Sequence, residues 1–412
     1  MSTAPRVLML GLTWPPETFL MRLIDGLVGR GLGVTVAVPA PSPAARRPAA
    51  LPAARGIEWV WLPGRTDSRP RNLWQTTRAL AGAARRAPGE TRRLVGAARA
   101  GGSTIAAATR LRREAPLVGR DFNVIYFPWN SAAIAYQELL DRAPVVISCR
   151  GSQINVAPHN PERADLRDGL AATFARAAAV HCVSAQIRDE ATRYGLDPGK
   201  AVVIRPAVDP ELFQPAVSSP SGSSPLLPSP PAPLRLITTG SVLWRKGYEY
   251  ALLAVRALLD RGVAVRFDIV GDGPEAQRLL YTIDDLALQE HVVWHGRRVP
   301  GEVLHLLQTA DAFLLTSLSE GISNAVLEAM ACGLPVVTTA VDGMPEAVTD
   351  GVEGFLVPPR APAATADALA RLAASPDLRR TMGAAGRARV QRDFALSDQI
   401  DAFVDLFVGV AR

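Results

Sequence analysis

Glu320 and Glu328 stand eight residues apart in the run LLTSLSEGISNAVLEAMACGLPVVTT, residues 314–339. Each carboxylate can accept two hydroxyl hydrogen bonds, which is what vicinal diols need. Residues 313–315 predict a strand and 316–321 a polar loop. Ile322, Val326, Leu327 and Met330 then mark the buried stripe of a helix. Gly333 and Pro335 stop that helix, and residues 335–339 predict a second buried strand. Eight helical residues would separate the carboxylates by about 12 Å. For a glutamate pair taken alone, the plain alternative is a loop acid and a solvated helix position.

A second constellation is GSVLWRKG, residues 240–247. Glycines at both ends permit a tight turn, and a helix from Tyr248 would aim its N-terminus at whatever the loop holds. Arg245 offers a bidentate fork and Lys246 a movable point charge, a pair suited to a diphosphate. Only Lys200 and Lys246 among the 45 basic residues are lysines, which singles out Lys246. Two solvated surface cations are the alternative. Backbone amides of Gly321, Ile322 and Ser323, expected at the start of the second helix, would add donors reinforced by the helix dipole. With a diphosphate so held, about 12 Å is roughly the reach from a hexose to the ribose of a sugar nucleotide. No D-x-D or comparable carboxylate pair offers an Mg²⁺ site, and the five histidines show no ligand spacing. Side-chain cations are therefore expected in place of a metal, with no cofactor.

Residues 269–275, IVGDGPE, continue into a G-x-G-x-x-A pattern at Gly271, Gly273 and Ala276, with Glu290 where a dinucleotide fold places its ribose carboxylate. Alone, this reads as an NAD site. Pro274 in the turn and the downstream Glu320 segment argue otherwise.

The 412 residues exceed one typical core and predict two domains. With 48% hydrophobic and 20% charged residues the composition is that of a soluble globular protein. No apolar run reaches membrane-spanning length, and residues 1–10 lack the layout of a signal peptide. Cys149, Cys182 and Cys332 suggest neither a disulfide framework nor a zinc site, and a reducing cytoplasm is expected. Residues 69–120 hold twelve Arg against Glu90 and Glu114. This local balance of +10 leaves −4 for the rest of a +6 chain. A basic, Ala-rich helical segment of this kind suits anionic lipid headgroups or an anionic lipid-linked acceptor. A solvated insertion is the alternative. No nucleic-acid motif accompanies the charge, so nucleic acid is not an expected partner.

Short apolar runs alternate with helical patterns throughout, the signature of parallel sheets covered by helices. Strands are expected at 6–10, 34–38, 124–126, 145–148, 180–182 and 202–204. In the second half they are expected at 234–238, 266–270, 291–294, 312–315 and 336–338. The fold class is α/β, two Rossmann-like doubly wound domains with ligands in a cleft at the carboxyl ends of the strands. The expected division is an N-terminal domain over 1–214, a Pro/Ser-rich linker over 215–233, a C-terminal domain over 234–393 and a final helix over 394–412.

The 314–339 segment, with its S-E-G and E-A-M-A-x-G-x-P-V-V flanks, closely resembles the donor-binding segment of retaining glycosyltransferases of family 4, the E-x7-E group with the GT-B fold. GSVLWRKG is similar to that family's phosphate loop, V-G-D-G-P to a structural turn, and residues 295–298 (HGRR) to its nucleobase loop. Residues 342–346 and 350–354 also match family loops; for Glu346 a helix-start carboxylate is the expected role. In the first half, PPETF (residues 15–19) resembles the acceptor-side loop of polysaccharide-assembly members, and CRGSQ (149–153) a family loop that usually ends in an acidic residue. The resemblance covers nearly the whole chain apart from residues 40–120 and the linker.

It implies a metal-independent retaining hexosyltransferase using a UDP- or GDP-sugar, cytoplasmic or peripheral at the inner face of the plasma membrane. Its acceptor would be a hydroxyl of a glycan or lipid-linked acceptor. Glu320, Arg245 and Lys246 would be catalytic. Gly240, Ser241, Gly321, Ile322, Ser323, Glu328 and Arg297 would bind the donor, and Gly11, Glu17, Thr18, Arg150 and Gln153 would line the acceptor side. The final helix would return to the first domain. An NAD-dependent oxidoreductase and a catalytically inactive glycan-binding GT-B protein stay open as alternatives.

Overall fold

All strand pairs in the computed structural model are parallel among its described residues, 4–40, 56–63, 69–100, 103–216 and 232–411. The chain divides into two units. The first holds residues 1–182, 188–204 and 400–412, and the second holds 183–187 and 205–399. Residues 205–214, expected with the first domain, thus group with the second. In the helix Leu396–Ala411 only residues from Ile400 onward belong to the first unit. Most of the expected linker, residues 217–231, lies outside the described residues.

The first unit's strands are β1 (Arg6–Leu10), β2 (Gly33–Pro39), β3 (Ile57–Leu62), β4 (Val124–Phe127), β5 (Val145–Cys149), β6 (Ala179–Cys182) and β7 (Ala201–Val203). They lie in the order β3-β2-β1-β4-β5-β6-β7. Central strands β4 and β5 are buried at every residue, because helices cover both faces of a parallel sheet. Edge strand β3 was not expected from the sequence: its buried residues are only Val60 and Leu62, alternating with half-buried Trp59 and Trp61. Both tryptophans are covered edge-on by Trp14, at 5.3 and 5.0 Å. Phe403 and Phe407 of the last helix pack on Tyr126, at 5.8 and 5.3 Å. Truncating a fully buried phenylalanine such as Phe403 costs about 3–5 kcal/mol.

Three helices, Arg69–Arg86, Pro88–Ala100 and Thr104–Glu114, are inserted between β3 and β4, in the segment whose composition predicts helix.

The second unit's strands are β8 (Leu234–Thr239), β9 (Val265–Val270), β10 (Val292–Gly296), β11 (Ala312–Leu315), β12 (Val336–Thr339) and β13 (Gly354–Val357). Their order is β10-β9-β8-β11-β12-β13. Strand β13, four residues behind a turn, was also not expected. One face packs on Tyr248–Asp260 and Pro362–Ala374, the other on Asn324–Ala331 and Pro376–Asp393. In each unit the winding reverses beside the first strand, between β1 and β4 and between β8 and β11. The loops leaving those strands are where open α/β sheets bind ligands.

Candidate active site

In the second unit, the loops after β8 and β11 carry the predicted donor residues. A turn of 3₁₀ helix, Trp244–Lys246, ends at Gly247, whose φ of +59° lies in the left-handed region. A Cβ there would sit 2.4 Å from the Thr316 carbonyl oxygen, so only glycine lets the two loops close together. Leu318 N donates to Arg245 O at 2.7 Å, and Thr316 Oγ1 donates to Gly247 O at 2.8 Å. The Lys246 ammonium reaches Glu320 Oε2 at 2.6 Å, with side chains only 10% and 14% exposed. Ser317 Oγ donates to the same oxygen at 3.4 Å. Lys246, expected as a cation for phosphate, is therefore already paired with Glu320, another of the three predicted catalytic residues. Arg245 is half-buried beside it, and Gly240 and Ser241 open the same loop. Tyr248 donates to Gly240 O at 3.2 Å; burial, with the Glu320 charge, pushes its phenol above the ordinary range.

The helix after β11 starts later than the sequence suggests. Ser323 is its N-cap and Asn324 its first residue, so Gly321 and Ile322 lie in the preceding loop. The separation of about 12 Å required helix from Glu320 to Glu328 and does not apply, since helical rise covers only the residues from Asn324 on. Glu328 is half-buried on that helix. Arg297 is exposed after edge strand β10, which is separated from β8 by β9.

Asp342 is a site residue that the sequence did not single out. After β12 it adopts φ +46°, unusual outside glycine. Its Oδ2 accepts from Ser319 Oγ at 2.8 Å and from the Glu320 amide at 2.7 Å. The carboxylate fixes the backbone that carries Glu320. Glu346 accepts from the amides of Ala185 and Gln186, at 3.1 and 3.0 Å, and from Arg205 at 3.3 Å. As expected, it is a helix-start carboxylate: it lies in the first turn of Met344–Ala347, and it also accepts from the first amides of the helix Ala185–Thr192.

The glycines of G-x-G-x-x-A are explained by the chain itself. A Cβ at Gly271 would lie 1.8 Å from Gly240 O, and one at Gly273 2.3 Å from Val242 O. Val242 N donates to Asp272 O and Glu275 N to Val242 O, at 3.1 and 3.2 Å. The 240–242 backbone occupies the close approach that a dinucleotide pyrophosphate would need, which weighs against the NAD reading.

The first unit brings its predicted residues to the ends of β1 and β5. The Arg150 guanidinium lies 4.7 Å from the Phe19 ring centroid and 5.9 Å from that of Trp129, and donates to Tyr126 Oη at 3.4 Å. Its Nε is shielded from solvent with no partner among the described residues, as are Glu17 Oε2, Asn130 Oδ1 and both side-chain polar atoms of Asn155. Such orphaned groups are costly, and a polar ligand would satisfy them. Phe19 belongs to the PPETF loop already noted; Trp129, Asn130 and Asn155 were missed, and the only signal was an aromatic and an amide residue soon after β4. Thr18 is exposed at the first helical turn. Two predicted residues make structural contacts. Gln153 Oε1 accepts from Ser131 N and Oγ, at 3.3 and 2.8 Å, tying the β4 and β5 loops together. Gly11, at φ +84°, makes room for Ala132, whose Cβ would lie 2.2 Å from an added methyl.

Among the described residues no helix is long and apolar enough to cross a membrane, and no three His, Cys, Asp or Glu side chains gather as a metal cluster.

Residues 85–212 match the family model Glycosyltransferase Family 4, and residues 227–389 match Glycosyl transferases group 1. The putative colanic acid biosynthesis glycosyltransferase WcaL of Salmonella typhimurium is 40% identical over 136 residues, 32% of this chain and 34% of the relative. A D-inositol 3-phosphate glycosyltransferase of Streptomyces griseus is 32% identical over 253 residues, 55% of this chain and 52% of the relative. The chain thus spans about a third to a half of these curated relatives. Among solved structures, Anabaena HepE in complex with UDP superposes with a TM-score of 0.67 at 18% identity, covering 98% of this chain and 100% of that one. Sucrose-phosphate synthase of Thermosynechococcus elongatus gives 0.72 at 19% identity, with 98% of each chain covered. At such identities the likeness shows the fold alone. The fold, the two matches and these relatives together support a GT-B glycosyltransferase.

Proposed function

We propose that the chain is a metal-independent, retaining hexosyltransferase that moves a hexose from a nucleoside diphosphate sugar to a hydroxyl of a glycan or lipid-linked acceptor. The observation that carries this reading is the Lys246–Glu320 pair, which bridges the loops after β8 and β11 where the winding of the sheet reverses. Glu320 Oε1 accepts no hydrogen bond from the described residues, which leaves it for a donor-sugar hydroxyl. Arg245 and Lys246 hold the diphosphate, and Glu328 holds the ribose.

The bond from the anomeric carbon to the diphosphate breaks, and its electron pair leaves on the phosphate oxygen. The acceptor oxygen bonds to the same face of that carbon, and its proton passes to the departing phosphate. Lys246 and Arg245 stabilise the developing charge, the largest contribution in reactions of this kind. The complex of HepE with UDP supports a nucleotide-sugar donor. The colanic acid relative supports an acceptor in polysaccharide assembly. The cluster of Glu17, Phe19, Trp129 and Arg150 is the acceptor side.

Thermal-shift screening against UDP- and GDP-sugars identifies the donor, since a matched ligand raises stability by mass action. Proton NMR of the product, in buffer with and without EDTA, then reads the anomeric configuration and any need for metal. An inverted anomer, EDTA-sensitive turnover or no stabilising nucleotide sugar overturns the corresponding part of the proposal.

A further inference from the structure

The helices Arg69–Arg86, Pro88–Ala100 and Thr104–Glu114 form a unit with two unlike ends. At one end Arg86 Nε donates to Val118 O at 3.0 Å, and Gly119 N donates to Glu90 at 3.4 Å. The last turns of the first and third helices thus meet the first turn of the second. Ala83, Leu94, Ala115 and Val118 form a small core among them. Both acidic residues of the segment lie at this packed end: Glu90 opens the second helix, and Glu114, buried beside Arg110, closes the third.

The opposite end gathers the start of the first helix, the finish of the second and the start of the third. None of its described helical residues is acidic. It carries Leu73, Trp74 and Ile105, which are 70%, 60% and 78% exposed. Arg78 stacks over the Trp74 ring at 5.4 Å, and Arg99 is exposed in the last turn of the second helix. Exposed apolar residues of this size, an exposed tryptophan and exposed cations match a surface whose outer layer is anionic and whose interior is hydrocarbon. Nucleic acid offers the charge but no apolar interior for Leu73 and Ile105.

We propose that this apolar, arginine-bearing end docks on an anionic lipid bilayer, with Leu73, Trp74 and Ile105 entering the headgroup region and Arg78 and Arg99 pairing with lipid phosphates. The docking does not depend on the transfer reaction proposed above, and its test needs no substrate. The full chain is floated with vesicles of phosphatidylglycerol and phosphatidylcholine, and with vesicles of phosphatidylcholine alone. The expected result is at least about tenfold stronger partitioning onto the anionic vesicles, weakened by added salt. The triple substitution Leu73→Ser, Trp74→Ser, Ile105→Ser lowers it about tenfold without changing the unfolding temperature. If that variant is destabilised, Trp74→Phe decides, since it removes the blue shift that vesicles induce in the fluorescence. Equal partitioning onto both vesicle types, an unchanged triple variant, a blue shift that survives Trp74→Phe, or tighter binding to duplex DNA than to vesicles overturns the proposal.

Discussion

The Lys246 ammonium stands 2.6 Å from Glu320 Oε2, although 74 residues separate them in the chain. Each of these largely shielded charges is the other's main compensation, and each is also a residue the proposed chemistry needs. Lys246→Ala is expected to lower kcat about 10²–10³-fold, the loss typical of removing one preorganised donor to a developing oxyanion. Glu320→Ala is likewise expected to abolish measurable transfer with folding intact. Steady-state kinetics beside circular dichroism checks both, and near-native kcat in either variant removes that residue's assigned role.

Asp342 holds Ser319 and the Glu320 amide through one oxygen while in a left-handed backbone. Asp342→Asn keeps the shape but replaces a charged acceptor with a neutral one, worth on the order of 1.5–3 kcal/mol for bonds to charged groups. A positioning role predicts that kcat falls about tenfold or more while nucleotide affinity changes little. Isothermal titration with the nucleotide, set beside kcat, separates the two. Equal losses in affinity and in kcat would show that Asp342 only supports binding.

Arg150 lies against the faces of Phe19 and Trp129. Lysine keeps the charge but not the planar stacking. Arg150→Lys is expected to raise KM for the acceptor about tenfold, leaving slow hydrolysis of the donor unchanged. If donor hydrolysis falls as far as transfer, Arg150 belongs to the donor side.

His181 is fully buried between Ser148 Oγ, 2.6 Å from Nδ1, and Ile204 O, 2.8 Å from Nε2. Burial, with the nearby Arg150 charge, lowers its pKa from the ordinary 6.5 to about 3. The unfolded chain therefore binds a proton that the folded chain refuses. The resulting stability is complete above pH 6.5 and is lost as pH falls from 6.5 towards 3. One such group changes stability by at most about 1.4 kcal/mol per pH unit across that window. Urea unfolding at pH 7 and pH 5 should show a smaller pH difference in His181→Asn than in the parent; an identical difference would mean that the histidine is already charged in the folded protein.

The parallel strands were legible because burial on both faces writes itself as a continuous apolar run, as in Val124–Phe127 and Ala312–Leu315. Strands β3 and β13 escaped notice because the first alternates at an exposed edge and the second is four residues long behind a turn. Sequence also singled out Lys246 and Glu320, through a lysine retained in an arginine-rich chain and a carboxylate interrupting an apolar pattern. It could not show that they pair, because pairing depends on β8 and β11 becoming neighbours in the sheet, and no local rule encodes which strands adjoin. For the same reason the contact of Asp342 with Ser319 and the Glu320 amide, and the close approach of Gly271 to Gly240, were not readable from the sequence. Residue type limits what a side chain can do, while its partners are set by which distant backbone the fold brings within hydrogen-bond reach.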